Sequence, residues 1–75
     1  MPGNFKMNPL TTVRRSKGLT LEQVAKNLDM HTTVLYEIEK GKKSTISERA
    51  TNIATFYGIA VEDLFVPTYY RAKGT

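Results

Sequence analysis

The tightest constraint on this chain is a complete short helix between Gly18 and Asp29. Thr20 and Gln23 stand three residues apart, the spacing at which a hydroxyl and a side-chain amide can each bond the other's backbone N–H. Leu21, Val24, Ala25 and Leu28 then fall at i, i+3, i+4 and i+7, a full apolar stripe. So short a helix is not stable alone in water, and the stripe has to be buried against other elements.

The rest of the chain offers partners of the same kind. Asn8 before Pro9 reads as an N-cap with proline at the first helical position, Gly18 as the stop, and Leu10 and Val13 as the inward residues of a helix over about 9–17. Asp29 and Met30 form a tight turn, Asp29 tolerating the left-handed region. A third helix runs from about Thr32 to Lys40 before Gly41. Thr45 and Glu48 repeat the capping-box spacing, and Ile46, Ala50, Ile53, Ala54 and Tyr57 form the stripe of a fourth helix closed by Gly58 and Ile59. One more turn, Val61–Phe65, precedes Pro67, and Ala60 offers it no hydroxyl cap. No stretch shows sustained period-two alternation, so the expectation is all-α. Met1–Met7 is expected to be a flexible N-terminal segment, and residues 67–75 a C-terminal tail.

Composition narrows the function. Seventy-five residues fit one small domain. No apolar run is long enough to cross a bilayer, and Met1–Met7 has no secretory h-region, so a cytoplasmic location is expected. With no cysteine and one histidine, the chain has no disulfide or Cys-based zinc site, no expected cofactor and too few groups for an enzyme centre. The net charge is +4, and it belongs to residues 1–49, which carry nine basic and five acidic side chains. A basic half suits a polyanionic partner, nucleic acid before membrane.

Two capped helices joined by about three turn residues, with a small alanine in the first and glycine after the second, are the parts of a helix-turn-helix. The stretch from Leu19 through Ala25, the run Tyr36-Glu37-Ile38-Glu39-Lys40-Gly41-Lys42-Lys43, Ile53-Ala54 and Phe56-Tyr57-Gly58-Ile59 resemble the Cro and phage-repressor family, also called the XRE family. The resemblance covers about residues 8–66. It implies a compact five-helix bundle, a lambda-repressor-like DNA-binding domain in which helix three enters the major groove and helix two crosses the phosphate backbone.

Residue chemistry says which side chains would do this. With Leu35 and Ile38 facing the core, the helical step of about 100° turns Thr33, Tyr36, Glu37 and Lys40 outward, with Thr32 and Val34 at the edges. The base-facing set is therefore Thr32, Thr33, Tyr36 and Glu37. Threonine can meet a base edge or a thymine methyl, Glu37 can accept from a cytosine amino group, and Tyr36 offers a hydroxyl beside a broad ring. On a merely solvated face, Glu37 would instead pair with Lys40. The backbone-facing set is Thr20, Lys40, Lys42, Lys43, Ser44 and Thr45, with amides at the starts of helices two and four. The family often has glutamine where Leu21 stands, so that phosphate contact is missing. The family also pairs residues such as Arg14 and Glu39 between helix one and the end of helix three, a structural ion pair. His31 stands where the family prefers a hydroxyl cap, and the face count turns it inward as a packed side chain.

These readings converge on a sequence-specific transcriptional regulator, with repression the expected sense, binding double-stranded DNA as a homodimer. Phe65, Val66, Tyr69 and Tyr70 are the candidate dimer contact. The competing reading is a protein-interaction module of the same fold, an antitoxin or transcription adaptor with a protein partner.

Overall fold

The computed structural model describes residues 8–66 and 70–73; the expected N-terminal segment 1–7 and Tyr69 lie outside the described residues. Five helices follow in order, α1 (Pro9–Ser16), α2 (Leu21–Asn27), α3 (Thr32–Glu39), α4 (Ser47–Tyr57) and α5 (Val61–Leu64). Two short strands, β1 (Phe65–Val66) and β2 (Arg71–Ala72), pair antiparallel with Phe65 opposite Ala72. None of these helices is long and apolar enough to cross a membrane.

The local signals act as their chemistry requires. The Asn8 side chain accepts the Thr11 N–H at 2.9 Å. Thr20 and Gln23 cap each other reciprocally, at 3.1 Å and 2.8 Å. One backbone device then stops each of the first four helices. After α3, Gly41 N–H bonds the Ile38 carbonyl at 3.1 Å and Lys42 N–H bonds the Glu37 carbonyl at 2.9 Å, with Gly41 at φ 73°. These are the paired bonds of a Schellman stop, which needs one left-handed residue. After α2 that residue is Asp29, at φ 54°, while the N–H groups of Asp29 and Met30 bond the carbonyls of Lys26 and Ala25.

Every element contributes to one core. Leu10, Val24, Ala25, Leu35, Ile38, Ala50, Ile53, Ala54, Tyr57, Leu64, Phe65 and Ala72 are all buried. Val13, Leu21 and Leu28 lie half-buried around them. Truncating a filled position such as Leu35 would cost about 2 to 5 kcal/mol, because neighbours relax only partly into the void.

Four expectations are corrected. Thr45 does not cap α4: the helix begins at Ser47, with Ile46 in the extended cap position and no side-chain cap bond. The Thr45 N–H instead donates to the Tyr70 carbonyl at 3.3 Å, so the returning tail holds this residue outside the helix. Ile46 consequently leaves the inward stripe and is 65% exposed. His31 is also exposed rather than packed: it is the extended N-cap of α3, and its side chain makes no cap bond. Phe65 does not belong to a surface patch, since it is fully buried where β2 folds back over it. A dimer contact built on Phe65 is therefore ruled out; of the other described residues in that group, Val66 and Tyr70 are half-buried. The strands themselves, two residues each, were not anticipated.

Candidate nucleic-acid interface

Helix α3 has two chemically opposite sides. Its inner side is anchored at Glu39, whose side chain is only 2% exposed. Arg14 meets that carboxylate through Nη2 and Nε, both at 3.0 Å, and its Nη1 donates to the Leu19 carbonyl at 2.9 Å. The Thr11 hydroxyl donates to Glu39 Oε1 at 2.9 Å, and Asn8 Nδ2 donates to the Glu39 carbonyl. Arg14 and Glu39 thus form the ion pair that the resemblance implied. Hydrogen bonding to Glu39 raises the Arg14 pKa above its ordinary value, against the opposing effect of burial. The same pocket pushes the Tyr57 phenol up to about 12, first through desolvation and then through the nearby Glu39 charge, with Arg14 acting in the other direction. Among the described residues the Tyr57 hydroxyl has no hydrogen-bond partner.

Sequence reasoning missed Asn8 and Thr11 as anchors of Glu39. The available signal was that Thr11 occupies the position where a capping box would place Glu or Gln. Its hydroxyl is not needed by the cap and is free to reach across to α3.

The outer side of α3 is open. Thr33 is exposed, Thr32 and Glu37 are half-buried, and Tyr36 is 40% exposed. Lys40, Lys42, Lys43 and Ser44 are exposed around its C-terminal end. The ammonium groups of Lys40 and Lys42 lie 5.7 Å and 6.0 Å from the centroid of the Tyr36 ring. Lys43 pairs with Glu37 at 3.4 Å, so the partner of Glu37 is Lys43 rather than Lys40. The left-handed turn at Gly41 explains the switch: it folds the loop back so that both Lys42 and Lys43 N–H groups reach the Glu37 carbonyl.

Of the backbone-facing set, Thr20 is exposed at the start of α2 with its hydroxyl engaged in the capping box. Thr45 lies apart in kind, its hydroxyl buried and without a hydrogen-bond partner among the described residues. No side chain caps the start of α4, which leaves its first amides open beside Ser44. Basic side chains and open amides around a helix with hydroxyl-bearing residues form a surface suited to a phosphate-lined groove.

Comparison with known proteins agrees with this geometry. The family model described as helix-turn-helix matches residues 10–64. An uncharacterized HTH-type transcriptional regulator of Methanocaldococcus jannaschii is 37% identical over 59 residues, covering 79% of this chain and 89% of the relative.

Proposed function

We propose, from the premise that this chain belongs to the Cro and phage-repressor type of helix-turn-helix family, that it is a DNA-binding transcription regulator acting as a repressor on a specific operator. The observation that carries this reading is the free outer side of α3: Thr33 and Tyr36 exposed, framed by Lys40, Lys42 and Lys43. In the proposed complex α3 lies in the major groove. Thr32 and Thr33 meet base edges and thymine methyls, Tyr36 contributes its hydroxyl, and Glu37 accepts from a cytosine amino group when Lys43 moves to a phosphate. None of these four is Arg, Asn or Gln, so discrimination leans on methyl packing and DNA shape more than on bidentate pairs.

Lys40, Lys42, Lys43, Ser44 and the amides at the starts of α2 and α4 grip phosphates, with Thr20 and Thr45 holding those segments in place. Two copies on a pseudo-palindromic site would set their α3 helices about 34 Å apart on one face of the DNA. Repression follows if the bound dimer occludes the promoter.

Selection of bound sequences from random duplex DNA at two salt concentrations tests this. An enriched inverted repeat is expected, with affinity falling steeply as salt rises. Replacing Lys42 by alanine should lower the slope of log affinity against log salt by about 0.9 without altering the enriched sequence. A folded protein that enriches no sequence, and whose partner binding survives high salt, would instead be a protein-interaction module.

A further inference from the structure

We infer that Tyr36 is a positioning residue, whose ring holds the Lys40 and Lys42 ammonium groups ready for two DNA phosphates; this rests on the DNA-binding reading above. Two cations share one ring, at 5.7 Å and 6.0 Å from its centroid, within the range at which a ring face attracts an ammonium group. Lys40 reaches it from i+4, at the C-cap of the same helix, whereas Lys42 does so only because Gly41 takes a left-handed conformation and returns the chain toward α3. Lys43 differs: it meets Glu37 at 3.4 Å in an exposed ion pair, which binding can exchange for a phosphate.

The tether matters because a free lysine has many rotamers, and ordering it on binding costs affinity. A ring that is 40% exposed gives up little desolvation energy to hold them. The ring keeps both ammonium groups in place as they meet phosphates, while its own edge meets the bases. The ring thereby adjusts non-specific grip, a role separate from any contact its hydroxyl makes.

The inference makes the ring, and not the hydroxyl, responsible for sequence-independent affinity. Binding of Tyr36→Leu, Tyr36→Phe and the unaltered chain would be measured on both the selected operator and a random duplex. Tyr36→Leu is expected to weaken both by about threefold to tenfold, and Tyr36→Phe to stay within about twofold of the unaltered chain on the random duplex. In a Lys40→Ala, Lys42→Ala background the effect of Tyr36→Leu on the random duplex should vanish. In the free protein, the ε-methylene protons of both lysines should be shifted upfield by the ring and return to ordinary positions in Tyr36→Leu. Loss confined to the operator, or unchanged random-duplex binding in a folded Tyr36→Leu variant, would overturn this inference alone. Failure of the unaltered chain to bind any duplex would overturn the functional reading, and this inference with it.

Discussion

The two ion pairs of α3 use the same kinds of charge for opposite ends. At its root, Glu39 and Arg14 are 2% and 11% exposed, and Asn8 and Thr11 donate further hydrogen bonds to Glu39. On its outer edge, Glu37 and Lys43 are 30% and 64% exposed, at 3.4 Å rather than 3.0 Å. Burial decides the difference. A buried carboxylate that loses its cation has no water to turn to, whereas an exposed one is solvated at once and its lysine is free for a phosphate. The root fixes where the helix stands, and the edge stays exchangeable for binding.

This contrast is broken most severely at the root. Arg14→Ala should cost about 3 to 5 kcal/mol, because it leaves the Glu39 carboxylate buried without its cation, with the Thr11 hydroxyl as its remaining donor. That is a large share of the stability of a domain of this size. Urea unfolding should show it as a lower midpoint, with the remaining folded fraction still able to bind DNA. The matching edge variant, Lys43→Ala, should change stability by less than about 1 kcal/mol.

A second effect, of about 2 kcal/mol, comes from pH. Tyr57 titrates near 12 in the folded chain and near its ordinary value of 10 when unfolded. Below pH 10 the phenol is neutral in both states and changes nothing; as pH rises from 10 to 12 the unfolded chain ionises first, and stability falls across that window. The difference in stability between the unaltered chain and Tyr57→Phe should follow that window. Below pH 10 the variant should be as stable as the unaltered chain or slightly more so, since the hydroxyl it removes is buried without a partner. A flat difference across the window would remove Tyr57 from the cluster at the root of α3.

The smallest effect tests the turn between α2 and α3. Asp29 holds a left-handed φ of 54°, so Asp29→Gly should relieve backbone strain and stabilise the fold by up to about 1 kcal/mol. Thermal melts would register a rise of a few degrees.

What was legible in the sequence follows the range of the interaction concerned. The Asn8 cap, the Thr20–Gln23 box and the stops at Gly41 and Asp29 are made within a few residues, and each reads directly from spacing. The start of α4 did not, although Thr45 and Glu48 have the right spacing. A carbonyl from the far end of the chain, at Tyr70, takes the Thr45 amide first and moves the cap to Ile46. The strands are too short, at two residues each, to show alternation, and Phe65 reads as surface in the sequence although it lies in the core and pairs with the distant Ala72. At the site, the outward residues of α3 were legible from the helical step. The arrangement of the lysines was not: Glu37 takes Lys43 in place of Lys40, Lys40 lies over the Tyr36 ring, and Lys42 and Lys43 depend on how the Gly41 turn folds back.

The most direct test of the DNA-reading side is a titration of the isotope-labelled protein with its selected operator, followed through backbone amide shifts. The expected result is that Thr32, Thr33, Tyr36 and Glu37 move most, together with Lys42–Ser44 and the first residues of α2 and α4, while Glu39 and Arg14 stay in place. Shifts confined to α1, α5 and the strand pair, with the outer side of α3 unmoved, would contradict it.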